Sequence, residues 1–423
     1  MDKKSKPSLI GEIIKKLTKK TIKEEAIKEK NKSYDIRKIF EQMELDLISS
    51  MHRAFYFHQS EEAKEGFKWE QWQLTKLREI EKYRKRNREI VGAYSDAIQK
   101  TIDRELRGNY SKGESRITRL VDKIKQILKP SVKVEFPVDI SEHQATREYI
   151  SMLTGRRSKP IVEDSFFGVN EKKLEALITT AKKDVQKAQY SALRKMDDVY
   201  RQTIFKSQVY MQSGTKTLNQ AVDMATKDFL SKGIDSIEYK NGARVNIGSY
   251  AEMCLRTASQ RATFLGEGKK RNEYGIHLVV VSAHANTCKM CEKWQGKILI
   301  DDVFSNGSKK DGEYPLLSQA ITEGFLHPNC RHNLITYFPE VTSLPQVPNG
   351  EQAIKVYEAE QKQRKYEREI RKWKRIVAGS CDEESKKYAL SMVKRYQKNI
   401  SDLLKENPSL KRNYPKEEIR NGM

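Results

Sequence analysis

Cysteine and histidine are concentrated in one part of this 423-residue chain. Four of its seven histidines and three of its five cysteines lie between His277 and His332. Two thiolates separated by two residues, as in CKMC, can share one tight turn and bind a single metal ion. A second Cys/His pair from a distant loop, here HPNCRH, completes a tetrahedron. The spacing therefore predicts a structural zinc site. Its expected ligands are Cys288, Cys291, His327 and Cys330.

The same residues leave other interpretations open. His332 and His284 are substitutes for the histidine ligand of such a site. Without a metal, the cysteines would be reduced thiols packed under a loop, and His327 and His332 would be hydrogen-bonded. Cys330 and His332 could also form a nucleophile and its base, although the sequence offers no glycine turn for an oxyanion and no third orienting residue beside them.

A nuclease is the alternative from another functional class. The HPNCRH segment close to a CxxC pair is similar to zinc-braced HNH endonucleases, in which a general-base histidine works beside a second metal ion. Asn333 follows His332, and Asp301 and Asp302 lie in the intervening loop. The helix with the His/Asn spacing of these enzymes is not found, because strand-like LITYF and Pro339 follow instead. We therefore expect no catalytic residues and no enzymatic activity.

The composition favours a polyanionic partner. Lys and Arg outnumber Asp and Glu by 81 to 58, which gives a formal net charge of +23. Such an excess is typical of proteins that contact nucleic acid, and we expect contact with duplex DNA without sequence preference. The alternative is that these residues form solvated helix faces balanced by neighbouring glutamates. The candidate DNA-binding residues are Lys15, Lys16, Lys19 and Lys20 in an N-terminal arm, and Arg364, Lys365, Arg368, Arg371, Lys372, Lys374 and Arg375 in the tail.

Several other classes are disfavoured. No run of about 18 apolar residues occurs, so we expect no membrane span, and no secretory signal is apparent. Five cysteines in a chain of this size fit synthesis in a reducing cytosol rather than a disulfide scaffold. Nucleotide-binding motifs of the GxxxxGK[ST] and GxGxxG types are missing, and we expect no small-molecule substrate.

The glycine-rich FLGEGKK is predicted to end a helix at Gly266 or Gly268.

Apolar periodicity predicts a mainly α protein with long helices and one small α+β module that zinc could brace. Residues at spacings of three and four define helical stripes from Ile36 to His58 and from Leu174 to Val199, and a second helix is predicted from about Phe67 to Leu106. The predicted segments are a basic arm (1–35), a helical region (36–130), a linker or small insertion (131–170), a helical arm (171–235), an α+β Cys/His module (236–340) and a basic helical tail (341–423).

Within the module, the Asn241-Gly242 pair favours a tight hairpin. Ser249 and Glu252 predict a capping box that opens a helix, on which Cys254 is expected to be a small buried hydrophobic residue. The runs HLVVVSAH and KILI predict strands. The apolar face expected for the helix consists of Ala251, Leu255, Ala258, Ala262 and Leu265.

The module resembles the phage minor capsid proteins of the minor capsid protein 2 group, which are related to the Mu F-like head morphogenesis proteins. The matching segments are SYAEMCLRTA, RNEYG, VSAHA, WQGKI and NCRHNLITYFP. The tail segment EQKQRKYEREIRKWKR is similar to the basic helix that follows in these proteins, and IFEQMELDLISSM and WEQWQLTKL fit more loosely. The resemblance covers roughly residues 36–410 and is most specific over 236–340 and 358–376.

The resemblance implies a low-copy structural protein of a tailed bacteriophage of Gram-positive bacteria. Such a protein is made in the host cytoplasm and lies in the virion, inside the head or at the portal vertex. It aids head assembly and genome packaging or delivery. The implied partners are the phage portal and major capsid proteins and double-stranded DNA. The family offers no catalytic residue to transfer; its members retain NCRH but need not carry both cysteines of the CxxC pair. A zinc-containing DNA-binding regulator is the remaining alternative, and it would require a compact recognition helix.

Overall fold

The computed structural model describes residues 35–65, 69–127 and 164–212, separate positions within 220–246, and residues 247–418 without 340, 341 and 381. The N-terminal arm with Lys15, Lys16, Lys19 and Lys20, and residues 131–163 of the predicted linker, lie outside the described residues. The described chain is mainly helical, with long helices and small antiparallel sheets, as the sequence predicts.

The helices have the following bounds: α1 Asp35–Glu65, α2 Trp69–Ile127, α3 Asp164–Gln212, α4 Ile247–Glu273, α5 Lys289–Glu292, α6 Leu317–Thr322, α7 Gly350–Gly379 and α8 Glu383–Glu406. The strands are β1 Ile237–Glu238, β2 Arg244–Val245, β3 Leu278–Val281, β4 Ile298–Ile300 and β5 Leu334–Thr336. Short 3₁₀ turns occur at Lys309–Asp311 and Tyr414–Lys416. Among the described helices, none contains an apolar stretch long enough to cross a membrane.

The predicted helical stripes are confirmed on α3, and on α1 as far as Met51, whereas Ala54 is half-buried. On α1, the positions from Ile36 to Met51 that recur every three or four residues are at most 3% exposed. On α3, the stripe from Leu174 to Val199 is at most 7% exposed. The side chain of His58 lies outside the described residues. Periodic burial on this scale is the main stabilising term for helices of this length, because isolated helices are only marginally stable in water.

Two predicted helix boundaries are wrong. Helix α2 does not end near Leu106 but continues to Ile127, since Tyr110, Ile117 and Val121 extend its buried face past Gly108. Helix α3 begins at Asp164, seven residues before the predicted start. In α2, burial of an apolar face outweighs the local signals for a helix end.

The start of α4 also differs from the prediction. The antiparallel pairing of β1 with β2 is confirmed, but Glu238 pairs with Arg244, so five residues rather than two lie inside the last described pair, and Asn241 is outside the described residues. The helix begins at Ile247, before the expected capping residue Ser249. Asn246 caps it instead, because its Oδ1 accepts hydrogen bonds from the backbone N–H groups of Gly248 (3.0 Å) and Ser249 (3.4 Å). The expected apolar face of α4 is confirmed, at no more than 5% exposure. Cys254 is half-buried rather than buried, and burial raises the pKa of its thiol to about 11.

Gly266 and Gly268 do not end α4, so that prediction is wrong. A Cβ atom at Gly266 would strike the carbonyl oxygen of Tyr110 on α2, and one at Gly268 would strike the carbonyl oxygen of Phe304. Gly113 on α2 meets the backbone of Thr263 on α4 in the same way. The glycines therefore allow close approach of backbones, and the helix continues through them to Glu273.

The described chain forms two compact units. Unit 1 takes its described residues from Asp103–Thr180 and Arg256–Tyr357. Unit 2 takes them from Ser33–Ile102, Ala181–Leu255 and Glu358–Met423.

Unit 1 contains a three-stranded antiparallel sheet in the order β4-β3-β5. The central strand β3 is buried along its whole length. Val281, its last residue, pairs with Leu334 at the start of β5, and Val280 pairs with Ile298 at the start of β4. The carboxyl end of β3 therefore lies beside the beginnings of both neighbouring strands.

Unit 1 also encloses a charged network. Arg271 on α4 has no exposed surface and donates to Asp301 (2.7 Å), which directly follows β4 and is also fully buried. Glu267 accepts from Arg271 at 3.5 Å and forms an ion pair with Arg116 on α2. Asp301 further accepts from the backbone N–H of Phe304 at 2.8 Å. Two cations thus meet two carboxylates, which is how buried charges are tolerated.

Unit 2 is held partly by buried polar contacts. Arg37 on α1 donates to Glu252 on α4 at 2.8 Å. Glu44 accepts from the backbone N–H of Ile234 (2.7 Å) and from the Asn246 amide (2.8 Å). Helices α7 and α8 contribute an apolar cluster to this unit, consisting of Ile370, Val393 and Ile400 with Tyr366, Trp373, Tyr396 and Leu404 packed against it.

The close approach of α2 and α4 predicts opposite effects for two glycine-to-alanine changes in unit 1. Gly266→Ala should lower the free energy of unfolding by about 1–3 kcal/mol, because its methyl group would strike a backbone carbonyl. Gly108→Ala is the control, since nothing lies within 4 Å of the added Cβ. This variant should raise the free energy of unfolding by about 0.5–1 kcal/mol through helix propensity. Urea unfolding measures both; equal effects of the same sign would contradict the close contact.

Candidate metal centre and the basic residues of the tail

The cysteines and histidines of the predicted zinc site meet at one end of the unit 1 sheet. The chain leaves β3 at Val281 and reaches Cys288 and Cys291 before it enters β4. The segment with His327 and Cys330 directly precedes β5. Because β4 and β5 both start beside the end of β3, the strand register brings these two distant segments together.

The CKMC segment forms a tight turn. Cys288 caps the single-turn helix α5, and its carbonyl oxygen accepts from the backbone N–H groups of Cys291 (3.1 Å) and Glu292 (3.0 Å). The carbonyl oxygen of Cys291 then accepts from the Trp294 N–H at 3.0 Å. This turn returns both sulfur atoms to one side of the chain, as a shared metal ion requires.

The HPNC segment is a second tight turn, closed by the Cys330 N–H donating to the His327 carbonyl at 2.9 Å. Asn329 has a positive φ of 65°, a conformation that asparagine tolerates better than most residues. Its side-chain oxygen accepts from Arg256 at 2.9 Å, and its N–H donates to Thr257 Oγ1 at 3.3 Å. These contacts fasten the turn to α4.

Three short distances define the cluster. Cys288 Sγ lies 3.2 Å from His327 Nε2, Cys291 Sγ lies 3.8 Å from Cys330 Sγ, and Cys330 Sγ lies 3.5 Å from His332 Nδ1. Within the described part of the chain, two groups of donors could hold a metal, and in each the ligand atoms lie within 4.8 Å of one another. These groups are Cys288, Cys291 and His327, and Cys291, Cys330 and His332.

The Cys291–Cys330 and Cys330–His332 distances match the edges of a zinc tetrahedron, and the Cys288–His327 distance is shorter than such an edge. With Zn–S bonds of about 2.3 Å and Zn–N bonds of about 2.0–2.1 Å, two sulfur ligands are about 3.8 Å apart, and a sulfur and a nitrogen about 3.5 Å. Cys291, Cys330 and His332 are at most 5% exposed, whereas Cys288 and His327 are half-buried. The cluster could therefore hold a metal ion that is largely shielded from water.

The sulfur atoms of Cys291 and Cys330 share a hydrogen bond. This bond, together with the nearby His332 ring, lowers the pKa of Cys330 below its usual value. The same bond raises the pKa of Cys291, which is therefore the thiol donor of the pair in the absence of a metal. A metal ion would replace this shared proton, since cysteine binds metals as the thiolate.

His284, the other proposed substitute ligand, lies beside the cluster but has different partners. Its Nε2 is 3.0 Å from the Ser282 hydroxyl and 3.0 Å from the Arg331 carbonyl oxygen, so this nitrogen is engaged. Its ring packs against that of His332, with centroids 4.8 Å apart. Burial lowers the pKa of His284 to about 4, which keeps the ring neutral at physiological pH. His284 is therefore a packing neighbour of the cluster. The residues that the structure brings together are Cys288, Cys291, His327, Cys330 and His332.

Gln295 and Thr287 are site residues that sequence reasoning missed. Gln295 Oε1 lies 3.4 Å from His332 Nε2 and accepts from the His284 N–H at 2.6 Å. Thr287 Oγ1 lies 3.5 Å from His332 Nε2. Neither residue belongs to a recognisable motif, although both are close in sequence to the CxxC cysteines.

The candidate residues of the enzymatic alternatives are buried or have other hydrogen-bond partners. Cys330, His332 and Gln295 form a chain of contacts like that of a thiol nucleophile, its base and an orienting amide, but each is at most 5% exposed. The two carboxylates of the nuclease hypothesis have other partners. Asp301 binds Arg271, and Asp302 Oδ1 accepts from the backbone N–H of Ser318 at 2.9 Å.

The basic residues of the tail helix α7 divide into two groups. Arg371 and Arg375 are at most 9% exposed and donate to backbone carbonyls, Arg371 to Lys416 and Arg375 to Leu230 (3.3 Å) and Ser231 (3.0 Å). Burial lowers the pKa of Arg371 to about 10. The remaining residues are exposed or half-buried: Arg364, Lys365, Arg368, Lys372 and Lys374.

Comparison with known proteins identifies the family. A family model described as phage minor capsid protein 2 matches residues 114–405. The matched range includes the Cys/His cluster, helix α7 and nearly all of helix α8. The chain belongs to the phage minor capsid protein 2 family. The resemblance found in the sequence is thereby confirmed, and this minor capsid protein is a phage structural protein.

Two relatives of the minor capsid protein come from Lactococcus phages. A structural protein of phage LL-H is 28% identical over 235 residues, which are 52% of this chain and 61% of the relative. The chain thus aligns with less than two thirds of that protein. A structural protein of phage mv4 is 40% identical over 104 residues, 23% of this chain and 83% of the relative. No solved structure matches the chain significantly.

Proposed function

We propose that this minor capsid protein is a low-copy component of the phage head, located at the portal vertex or on the inner shell, and that it aids head assembly and genome packaging or delivery. The observation that supports the proposal is the family match over residues 114–405. Both Lactococcus relatives are described as structural proteins, which favours a structural role over the nuclease and the regulator. The expected partners are the portal and major capsid proteins.

Within this role, we propose that zinc braces the unit 1 sheet through three cysteines and a histidine. The sheet of this module is small, because its three strands contain only 3 or 4 residues each. Its two long connections return to the same end of β3, where the cluster lies. A metal bound there would join both connections, and structural zinc contributes its binding energy directly to folding. The first-choice ligands remain Cys288, Cys291, His327 and Cys330.

The zinc proposal predicts about one zinc ion per chain in full-length protein purified without chelators. Cys288→Ser and Cys330→Ser should each remove the metal and destabilise unit 1. Cys254→Ser is the matched control, since this half-buried cysteine on α4 belongs to neither donor group, and it should keep the zinc. Elemental analysis decides the outcome. Wild-type protein with under about a tenth of an equivalent of any metal would contradict the proposal.

We also propose nonspecific contact with packaged DNA. The tail helix supports it through the exposed side chains of Lys365 and Arg368 and the half-buried Lys374. Arg371 and Arg375 are used for backbone contacts within unit 2, so they are not expected to reach phosphates. Two others share their charge with neighbours: Arg364 lies 3.4 Å from Glu360, and Lys372 lies 3.1 Å from Glu369. The N-terminal lysines remain candidates.

The DNA proposal predicts that affinity for duplex DNA falls linearly with salt on a logarithmic plot, because each neutralised phosphate releases counterions. The triple change Lys365→Gln, Arg368→Gln and Lys374→Gln should reduce the slope by about 0.9 for each phosphate that is no longer neutralised. The matched control replaces Lys85, Arg86 and Arg88, three exposed residues of α2, by Gln. Fluorescence anisotropy measures both. No binding at low salt, or equal effects of the two triples, would contradict a site on the tail helix.

The location in the virion can be tested by deleting the gene and inventorying the proteins of purified particles by mass spectrometry. The protein should be present at low copy number in wild-type virions. Without it, heads should form but carry defective or undelivered genomes. Normal, infectious virions that never contain the protein would contradict the proposed role.

A further inference from the structure

The cluster supplies one histidine more than a structural zinc site needs. Zinc in such sites is almost always four-coordinate. Three cysteines and two histidines form two overlapping groups of three donors, one with His327 and one with His332, and Cys291 belongs to both groups. The five donors therefore raise the question of which histidine binds the metal.

His327 is prepared to bind through Nε2. Its Nδ1 lies 2.8 Å from the carbonyl oxygen of Pro328, and since a carbonyl can only accept, Nδ1 carries the proton. The lone pair is then on Nε2, which faces Cys288 Sγ at 3.2 Å. Hydrogen bonding of the distal ring nitrogen to a carbonyl is the usual way in which a metal-binding histidine is oriented.

His332 is also oriented to bind a metal ion, but through Nδ1 rather than Nε2. Gln295 Oε1 already accepts from the His284 N–H, so it is the carbonyl oxygen of the amide that faces His332 Nε2. Nε2 then carries the proton, and the lone pair is on Nδ1, which faces Cys330 Sγ at 3.5 Å. Packing against His284 and Phe325 holds the ring in place.

We propose that His327 and His332 alternate as the fourth ligand of one zinc ion, while Cys288, Cys291 and Cys330 remain bound. The inference rests on the proposed zinc site and adds to it. The half-buried His327 belongs to a turn that includes two residues with positive φ, Leu326 (53°) and Asn329 (65°). His332 is 4% exposed and is fixed within the module. The exchange allows the imidazole of His327 to leave the metal while His332 maintains the zinc brace.

The test compares single and double histidine variants of the full-length protein by competition with a zinc chelator. His327→Ala and His332→Phe should each keep about one zinc ion, with affinity reduced by about 10- to 100-fold. The phenylalanine preserves the ring packing around position 332. The double variant should lose far more affinity than the product of the two single effects, because neither histidine can replace the other. His284→Phe is the control and should bind zinc as the wild type does.

Gln295 provides an independent test of the same exchange. Gln295→Met should weaken zinc binding in the His327→Ala background, where His332 is the required ligand, and should have little effect when His327 is present. Cobalt substitution monitors the shell directly, since His327→Ala should retain a four-coordinate spectrum. Complete loss of zinc in either single histidine variant, or equal effects of Gln295→Met in both backgrounds, would overturn the exchange. Failure of the wild type to bind zinc would instead refute the proposed site itself.

Discussion

The buried guanidinium of Arg271 constrains the whole of unit 1. A charge without solvent contact is costly unless it is paired and hydrogen-bonded, and Arg271 meets this condition through Asp301 and Glu267. Glu267 also pairs with Arg116, so the network joins α2, α4 and the loop after β4. Removing one partner would leave an uncompensated buried charge, at a cost of about 3–5 kcal/mol.

The glycines of α2 and α4 serve this network. Gly266 and Gly113 let the two helices approach at backbone distance, and Gly268 admits the carbonyl of Phe304. The pairing Leu278↔Ile300 places Asp301 at the amino end of β3, whereas the Cys/His cluster lies at its carboxyl end. The small sheet is thus bordered by ion pairs at one end and by the candidate metal site at the other. The ion pairs and the Cys/His cluster therefore lie at opposite ends of a sheet whose strands are only 3 or 4 residues long.

Much of this arrangement could be predicted from the sequence. Apolar residues at helical spacing identified α1 and α3, and the Asn-Gly pair identified the hairpin, because these signals are local. The five donors of the cluster were also recognised, since cysteine and histidine are rare in this chain and concentrated in one segment. The residue types alone could not show that both histidines face the sulfur atoms, because that depends on the hydrogen bonds of Pro328 and Gln295.

The errors have different physical causes. Gly266 has the sequence signal of a helix end, but it meets the carbonyl oxygen of Tyr110, which is distant in sequence. Asn246 is a favoured capping residue whose partners are local, and it competes with the Ser249 and Glu252 pattern on which the prediction rests. The basic tail helix contains Arg371 and Arg375, which are buried against backbone carbonyls and are not part of a solvated basic face. Net charge describes the whole chain, whereas the partner of each cation is set by tertiary structure.

X-ray absorption spectroscopy at the zinc edge of the purified full-length protein tests the central claim most directly. The proposed brace predicts a first shell of three sulfur atoms at about 2.3 Å and one imidazole nitrogen at about 2.0–2.1 Å. The same shell should persist in His327→Ala, with the nitrogen supplied by His332. A shell of oxygen and nitrogen atoms alone, or protein without zinc, would contradict the account.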